Sequence, residues 1–432
     1  MRNLPQAFLD RMKKQLPDDE WESFLRVYEG APLKGLRVNP LKCGRGWFLS
    51  RRLFVSGQVP WEENGFYLLE EKTGGHPYHF AGAYYLQEPS AMCAAPLLKV
   101  QKGEKVLDLC SAPGGKGTRL AADLEGEGFI VLNEPIQSRA KILLENVERL
   151  GIKNAVVTNA YPQELSKKFK GYFDKIMVDA PCSGEGMFRK NEREAIAEWS
   201  EENVTLCAAR QAEILEEAVK MLRSGGRLVY STCTFSYEED EGQVRAFLEK
   251  HPEMYLLEEH KLYPHKVDGE GHYAALLGKW EGEEAFTPPC KNFISNAKKK
   301  EYEKFHKEMF TTPVYEGLHE VGDKLYALPE GVFDFTKLSV LRVGVKLGEF
   351  TGNRFVPAHA LAACSKMEEC QNVVDMPAHD SRIDKYLRGE TFEADGKDGW
   401  CLVCVDGISL GWGKRVNGVV KNHYPKGLRK VK

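Results

Sequence analysis

Short apolar runs alternate with helical patterns through the middle of the chain. The runs are rich in Val, Ile and Leu: KVLDLC (105–110), GFIVLN (128–133), AVVT (155–158), KIMVD (175–179) and RLVYSTC (227–233). Between them apolar residues recur at helical spacing, as in 204–222, where the pattern stops before Gly225 and Gly226. Alternating strands and helices predict an α/β protein with a doubly wound, mostly parallel sheet.

The pattern differs on both sides of this middle part. Residues 1–80 begin with apolar positions at helical spacing, such as Phe8 and Met12, and continue with the strand-like GLRVNPL, which predicts a small α+β region. The polar, basic stretch 290–310 predicts a linker over 286–345, with a solvated helix as the alternative. Short strand-like pieces then predict a β-rich domain over 346–432, which leaves 81–285 for the core domain.

The composition is that of an ordinary soluble globular protein, with 42% hydrophobic and 28% charged residues. No run of eighteen apolar residues occurs, which excludes a transmembrane helix, and the first residues lack the apolar segment of a secretion signal. Eleven cysteines without a disulfide-like spacing also fit a reducing, cytoplasmic location. Cys401 and Cys404 have C-x-x-C spacing without a second pair, so no metal site is expected.

The charge of the whole chain gives no sign of a nucleic-acid partner, because the formal net charge is only -3. The last twenty residues, from Gly413, differ from the rest, since they contain seven Lys and Arg residues and no acidic residue. Phosphate contacts or a solvated tail would explain this basic end equally well.

Ligands of open α/β sheets bind beyond the carboxyl ends of the strands, so the loop after each strand is a candidate site. The loop after the first strand is CSAPGGKGTRLA (110–121), whose adjacent glycines let the backbone come close to a ligand. Cys110 stands where a Walker loop has its first glycine, and Leu120 breaks the G-x-G-x-x-G spacing. The loop therefore predicts contact with a nucleoside or amino-acid moiety rather than with a phosphate.

The other strand ends add polar groups and thiols. Glu134 follows the second strand, where a carboxylate can accept hydrogen bonds from both ribose hydroxyls, and Asn159 follows the third. Asp179 and Cys182 lie in the loop after the fourth strand, DAPCSGEGMFRK, and Cys233 lies in the loop after the fifth, STCTFSYEEDEG. We expect both cysteines at one rim of the sheet, although buried structural cysteine is the alternative for each.

The segment after Cys233 predicts the start of a helix. Ser236 and Glu239 have the spacing of a capping box, and further acids fill the first turn. The helix N-terminus favours a thiolate at Cys233, whereas the neighbouring acids oppose it. The sequence leaves this balance open.

Four of these segments, LDLCSAPGGKGTRLA, NEP, VDAPCSGEGMF and YSTCTFSYEEDEGQV, resemble in order the motifs of the S-adenosylmethionine-dependent RNA 5-methylcytosine methyltransferases, the NOL1/NOP2/Sun family. Flanking segments such as GLRVNPLK and HDSRIDKYLRGE are similar to its bacterial RsmF-type branch, which acts on 16S ribosomal RNA of the small subunit. The resemblance implies a Rossmann-like methyltransferase core between an N-terminal RNA-binding region and a C-terminal PUA-like RNA-binding domain. It also implies S-adenosylmethionine as cofactor and ribosomal RNA as partner.

The resemblance further implies roles for single residues. Cys233 matches the nucleophile, Cys182 the second cysteine that helps to release the product, and Asp179 the loop acid that faces donor and base. Family members often carry an acid after the third strand, whereas this chain has Asn159, whose amide is the expected adenine contact. The remaining residues that match the methyl-donor site are Cys110, Ser111, Ala112, Pro113, Gly114, Gly115, Lys116 and Glu134, together with Asp179.

The implied chemistry explains why thiols are needed. Carbon 5 of cytosine becomes nucleophilic when a thiolate, here that of Cys233, adds to carbon 6. The charge that develops at N3 needs a donor, and a protonated Asp179 with a raised pKa is the expected one. Cys182 then promotes loss of the C5 proton and release of the thiol. The target cytosine is expected to be single-stranded or flipped out of its stack.

Four alternatives follow from the same residues. The first alternative is a methyltransferase that acts on transfer RNA or large-subunit RNA. The second is a non-catalytic ribosome assembly factor with the same fold. A factor of that kind predicts a lost thiol or a degraded donor loop, and neither is seen. A nucleotide-dependent dehydrogenase predicts the G-x-G-x-x-G spacing, which fails. Enzymes that methylate DNA cytosine use the cysteine of a Pro-Cys motif, which would make Cys182 the nucleophile.

Overall fold

The computed structural model describes residues 4–51, 54–69, 73–190, 192–282 and 287–430. Its N-terminal region contains α1 (Gln6–Gln15), α2 (Trp21–Val27), β1 (Gly35–Val38), α3 (Arg45–Ser50), β2 (Val55–Gln58), β3 (Gly65–Leu68), α4 (Pro77–Phe80) and β4 (Tyr84–Leu86). The four strands form an antiparallel sheet in the order β2-β3-β1-β4. The predicted helical spacing near the start is confirmed, since Phe8 and Met12 are buried on α1.

The middle of the chain forms the core domain, and all five predicted strands are present in it. The elements are α5 (Ala94–Leu97), β5 (Lys105–Asp108), α6 (Gly115–Asp123), β6 (Phe129–Asn133), α7 (Gln137–Arg149), β7 (Ala155–Thr158), α8 (Pro162–Lys168), β8 (Phe173–Asp179), α9 (Glu192–Glu198), α10 (Glu201–Met221), β9 (Leu222–Thr232), α11 (Glu241–Lys250), β10 (Met254–Leu262) and β11 (His272–Lys279). The continuous apolar runs are buried on both faces of the sheet, as expected for parallel strands covered by helices.

The C-terminal part contains helices and two further sheets. Its elements are α12 (Asn296–Met309), β12 (Leu318–Val321), β13 (Lys324–Ala327), β14 (Val340–Val343), β15 (Val345–Thr351), β16 (Arg354–Pro357), α13 (His359–Cys364), β17 (Val373–Met376), α14 (Ser381–Leu387), β18 (Phe392–Glu393), β19 (Gly399–Val405), β20 (Ile408–Val416) and β21 (Val419–Asn422). One sheet has the order β12-β13-β15-β16, and the other has the order β17-β19-β20-β21-β18. The β-rich C-terminal region expected from the sequence is therefore present.

The core sheet has eight strands in the order β10-β11-β9-β8-β5-β6-β7-β14. Strands β5 to β9 run parallel to one another, while β10, β11 and β14 pair antiparallel with their neighbours. Strand β5 pairs with β6 on one side and with β8 on the other, so the strand order reverses there. This reversal is where ligands bind in doubly wound sheets.

The described part of the stretch predicted as a linker, residues 287–345, is folded. Helix α12 buries Tyr302, Phe305 and Met309, and the first two rings pack against Phe355. In addition, β14 pairs with β7 and extends the core sheet. The composition misled because lysines surround a narrow apolar stripe on α12, and only that stripe faces the protein.

The first part of the basic end, up to Asn422, belongs to a pair of strands rather than to a free tail. Strand β20 pairs with β21, and Arg415 on β20 is fully buried. Its guanidinium donates to Asn372 Oδ1 at 3.0 Å and to the Lys397 carbonyl at 2.8 Å. Of the seven cationic residues, this one therefore has a structural role.

Among the described residues, no helix is long and apolar enough to cross a bilayer.

Candidate active site

A cavity of about 1040 Å³ lies at the carboxyl ends of the parallel strands, beside the reversal of strand order. Loops after five strands line it, and residues 85–88 and 270–272 close one side. The cavity brings together most residues predicted for the site: Cys110, Ser111, Ala112, Pro113, Gly115, Lys116, Glu134, Asp179, Cys182 and Cys233. Gly114 and Asn159 are not among the lining residues.

The two thiols meet at the cavity wall. Cys182 follows β8 and Cys233 follows β9, and these adjacent parallel strands place Sγ of one 3.3 Å from Sγ of the other. The backbone N–H of Cys233 also points to Cys182 Sγ at 3.4 Å. Contact with Cys233, followed by burial, raises the pKa of Cys182 well above its usual range, so Cys182 is a neutral thiol near pH 7.

The loops that carry the thiols are joined by further hydrogen bonds. Ser183 Oγ and Thr234 Oγ1 are 2.8 Å apart, and the N–H of Gly186 donates to the Cys233 carbonyl at 2.8 Å. A Cβ at Gly186 would lie 2.8 Å from that carbonyl oxygen, so the close approach of the two backbones requires glycine. The two loops thus hold the thiols in place through their own backbone and side chains.

Lys116 and Asp179 form an ion pair beside the thiols, in which the Lys116 side chain is buried and that of Asp179 is 33% exposed. Lys116 Nζ lies 2.8 Å from Asp179 Oδ2, and Ser231 Oγ donates to Asp179 Oδ1 at 2.9 Å. Burial alone would raise the pKa of Asp179, but Lys116 and these hydrogen bonds outweigh it and leave the pKa below its usual value. The expectation of a protonated Asp179 with a raised pKa is therefore wrong. Asp179 is an ionised acceptor, and Lys116 is the cationic donor of the pair.

Glycines shape the loop between β5 and α6. Gly114 has a φ of 114°, a left-handed conformation that favours glycine, and α6 begins directly after it. A Cβ at Gly117 would lie 2.4 Å from Leu132 Cδ2 and 2.6 Å from Asp108 Oδ2. Glycine therefore lets α6 pack closely on β5 and β6, which turns the first N–H groups of the helix toward the cavity.

Glu134 lies at the tip of β6, in the cavity wall. The carboxylate is buried, accepts the N–H of Ile136 at 2.9 Å through Oε1, and has Arg139 Nη1 3.5 Å from Oε2. Asn159 lies behind it and donates from Nδ2 to the carbonyls of Glu134 and Pro135 at 2.8 and 2.9 Å. The donor groups of the Asn159 amide therefore support the Glu134 loop.

The acids that follow Cys233 form no capping box. Helix α11 begins at Glu241, and the Ser236 hydroxyl donates to Glu185 instead of capping. Every acid of the run has a partner: Glu238 binds Arg11, Glu239 accepts from Ser183 and Gln211, and Asp240 and Glu241 share Lys261. These partners hold the acids in place, whereas the Lys116 cation lies on the cavity side with the thiols.

Glu185, which the sequence did not single out, joins the two cysteine loops from beneath. Its buried carboxylate accepts from the N–H of Phe235 at 2.9 Å, from Ser236 Oγ at 3.0 Å and from Trp199 Nε1 at 3.0 Å. Only its position within the GEG segment of the fourth-strand loop could have drawn attention to it. The three donors show that the carboxylate organises both loops.

Replacement of Glu185 with alanine is expected to lower the free energy of unfolding by about 3 kcal/mol or more, because three buried donors lose their acceptor. Urea denaturation measures this change. The exposed Glu194 provides a matched control, since Glu194→Ala removes the same group from the surface and should change stability by less than about 0.5 kcal/mol. Equal stability of the two variants would contradict the bracing role of Glu185.

His272 is a second residue that the sequence did not single out. It is the first residue of β11, only 2% exposed, and it lines the cavity. Neither ring nitrogen has a hydrogen-bond partner among the described residues. Burial, and then the charge of Lys116, lowers the pKa of His272 to about 3, although Asp179 opposes this shift. The imidazole is therefore neutral at physiological pH.

Replacement of His272 with phenylalanine is expected to change how stability depends on pH. Between pH 6.5 and about 3, the unfolded chain binds a proton at His272 that the folded protein does not bind. The wild type therefore loses about 1.4 kcal/mol of stability per pH unit through this residue as the pH falls. The free energy of unfolding of the variant, relative to that of wild type, should therefore rise by about 2 kcal/mol as the pH falls from about 7.5 to 5. Urea denaturation at both pH values tests this, and a constant difference would contradict it.

Comparison with known families covers most of the chain. Residues 95–286 match the model of 16S rRNA methyltransferase RsmB/F, and residues 4–89 match the N-terminal domain of 16S rRNA methyltransferase RsmF. Residues 304–364 match the first C-terminal domain of RsmF rRNA methyltransferases, and residues 373–430 match the RsmF PUA domain.

Similar proteins extend over nearly the full length. Ribosomal RNA small subunit methyltransferase F of Psychromonas ingrahamii is 31% identical, with 98% of this chain and 97% of that protein covered. The protein of the same name from Vibrio vulnificus is 30% identical over the same shares. A methyltransferase homologue from Pyrococcus horikoshii has a similar structure, with a TM-score of 0.58 and 27% identity over 64% of this chain and 96% of that one. NSun6 from Pyrococcus horikoshii, solved with SFG, shares the fold at 22% identity and a TM-score of 0.59, over 64% of this chain and 99% of its own.

Proposed function

The chain belongs to the RsmB/F family of 16S rRNA methyltransferases, and we propose that it transfers a methyl group from S-adenosylmethionine to carbon 5 of cytosine in 16S ribosomal RNA. The observation that carries this proposal is the pair of thiols 3.3 Å apart in the wall of the strand-end cavity. Methyl transfer to an amine or a hydroxyl needs no thiol, whereas carbon 5 of a pyrimidine needs a nucleophile at carbon 6.

The residues around the cavity fit S-adenosylmethionine. Oε2 of Glu134 has only the distant Arg139 beside it, so it retains acceptor capacity for ribose hydroxyls. The loop 110–116 and the start of α6 present backbone close to the cavity, which suits an amino-acid moiety. When bound, S-adenosylmethionine would supply an electrophilic methyl group on its sulfonium.

Cys233 is the proposed nucleophile. Its thiolate forms a bond to carbon 6 of the cytosine, and the electron pair of the C5–C6 double bond makes carbon 5 nucleophilic. Lys116, as the cationic member of the ion pair, can donate a hydrogen bond to the base where negative charge develops. This assigns to Lys116 the donor role that the sequence had suggested for Asp179.

Asp179 is proposed to favour cytosine over uracil. The ionised carboxylate accepts hydrogen bonds and cannot donate them. The exocyclic amino group of cytosine is a donor, whereas uracil carries an acceptor oxygen at the same position, which a carboxylate repels. The depressed pKa of Asp179 keeps this preference over the physiological pH range.

Cys182 is proposed to complete the reaction. After methylation, carbon 5 carries both the methyl group and a proton, and loss of that proton lets the C6–sulfur bond break and restores the aromatic ring. Cys182 lies beside the nucleophile. Once the Cys233 sulfur is bonded to carbon 6, the Cys182 thiol can release its own proton to solvent, and the resulting thiolate accepts the proton of carbon 5. The products are 5-methylcytosine, S-adenosylhomocysteine and the regenerated Cys233 thiolate, and Cys182 is again a thiol.

The test is methylation of purified RNA, followed by bisulfite sequencing to locate 5-methylcytosine. The protein is incubated with S-adenosylmethionine and either 16S ribosomal RNA, small ribosomal subunits, large-subunit RNA or transfer RNA. We expect a protected cytosine in 16S RNA, free or within the subunit. Modification of only transfer RNA or large-subunit RNA would redirect the substrate assignment, and no modification of any of them would overturn the enzymatic proposal in favour of an assembly factor.

A further inference from the structure

The imidazole of His272 is buried without any hydrogen bond from the described residues. A buried polar group without a partner costs roughly 1–3 kcal/mol of stability, so such a group rarely persists for structural reasons. A neutral imidazole has one donor nitrogen and one acceptor nitrogen, and both are unused here. The side chain therefore has the properties of a group kept free for a ligand.

The position of His272 points to the part of the cavity that holds the thiols. Strands β11 and β9 are antiparallel, and Tyr273 pairs with Thr232. His272 thus lies one residue beyond the last pair, next to Cys233 in the register. A Cβ at Gly186 would touch the carbonyls of both Cys233 and Gly271, at 2.8 and 3.0 Å, which shows that the two chain segments lie side by side.

The charges around His272 also favour a nucleobase over the methyl donor. Lys116 and Asp179 are the charged groups that act on the ring, and they form the ion pair assigned above to the base. Glu134 and the residues around Ile136, which suit the ribose of the donor, lie at the end of β6, on the other side of β5 from β8. His272 therefore belongs to the same end of the cavity as the thiols.

We propose that His272 is a positioning residue that hydrogen-bonds the target pyrimidine and holds carbon 6 over the Cys233 thiol. This inference rests on the proposed cytosine methylation and deepens it. One ring nitrogen donates to or accepts from the polar edge of the flipped base. This contact replaces a hydrogen bond that the base loses when it is unpaired. Because the ring is neutral, it orients the base without adding charge to the Lys116–Asp179 pair.

The experiment compares His272→Phe and His272→Gln with wild type on RNA that contains 5-fluorocytosine. Fluorine at carbon 5 cannot leave as a proton does, so the bond between enzyme and RNA persists. The amount of this covalent complex can be measured on a denaturing gel. We expect His272→Phe to slow formation of this bond, and kcat/KM on ordinary RNA, by about 10-fold to 100-fold. His272→Gln retains a donor and an acceptor and should recover part of the rate.

Stability and donor binding separate this role from a structural one. His272→Phe removes two unpaired polar atoms, so its melting temperature near pH 7.5 should equal or exceed that of wild type. Calorimetric affinity for S-adenosylmethionine should be unchanged. His306→Phe is the matched control, because His306 is also buried with an unpartnered Nε2 but packs on α12 outside the cavity. Its activity should equal that of wild type.

Each outcome decides between the two proposals. If wild type forms no bond with the fluorinated RNA, the proposed cytosine chemistry fails, whatever the variants do. If wild type forms it and His272→Phe forms it equally fast, the positioning role fails while the chemistry stands. A lower melting temperature, or weaker binding of S-adenosylmethionine, would assign His272 to the scaffold or to the donor site instead and would overturn the inference.

Discussion

Replacement of Cys233 with alanine is expected to reduce methylation by at least about 1,000-fold, because the proposed reaction needs the Cys233 sulfur to add to carbon 6. Cys182, the one thiol in contact with Cys233, carries a proton because contact with Cys233 and burial raise its pKa. The loss should therefore not be rescued by the neighbouring thiol. Incorporation of labelled methyl groups into RNA measures the rate, and a denaturing gel shows whether the enzyme–RNA bond still forms.

Cys401→Ala is a suitable control for this experiment, since Cys401 is fully buried on β19 and does not line the cavity. It should retain the wild-type rate as long as the protein is folded. A covalent bond that survives the loss of Cys233 and requires Cys182 would reverse the two roles. The chain would then use the cysteine of its Pro-Cys dipeptide, as enzymes that methylate DNA cytosine do.

Replacement of Cys182 with alanine is expected to have the opposite effect on the covalent complex, which should accumulate to a large fraction of the enzyme. The contact with Cys233 is the largest cause of the raised pKa of Cys182, and burial is the second. Once the Cys233 sulfur is bonded to carbon 6, this contact no longer holds the proton on Cys182. Its thiolate can then form and remove the C5 proton, a step that alanine cannot perform.

Incubation of Cys182→Ala with unmodified RNA and S-adenosylmethionine tests this expectation on a denaturing gel. Cys182→Ser helps to define the cause, because a hydroxyl of similar size is a far weaker acid than a thiol. It should also accumulate the complex, although the space is filled. Release at the wild-type rate from both variants would show that another group, or water, removes the proton.

The core domain was predictable because its signal is local. A parallel strand buried on both faces needs a continuous apolar run, and all five runs became strands, from Lys105–Asp108 to Leu222–Thr232. The loops after those strands could be ordered along one edge without coordinates, which placed Cys182 and Cys233 together. The folded state of 287–345 was not predictable in this way, because the residues against which α12 packs lie later in the chain, as Phe355 does.

The properties that the sequence did not reveal depend on neighbours that are distant in the chain. The charge state of Asp179 depends on Lys116, which lies in the first loop, and composition gives no indication of that contact. The role of Glu185 depends on donors from two separate segments, Trp199 in one and the adjacent Phe235 and Ser236 in the other. His272 differs from an ordinary core histidine because no side chain or backbone group in the described part of the chain bonds its ring nitrogens, and the lack of a contact leaves no pattern in the sequence.

The pairing of β14 with β7 has a consequence for the order in which the protein folds. Domains generally fold from the N-terminus during synthesis, so the core sheet can form while β7 is still its outermost strand. An outermost strand presents free N–H and C=O groups that can recruit another chain. Arg342 pairs with Val157, so the strand that covers this edge is translated only after the whole catalytic core. A nascent chain therefore carries an open sheet edge through much of its synthesis, and the C-terminal part acts as the cap that ends this exposure.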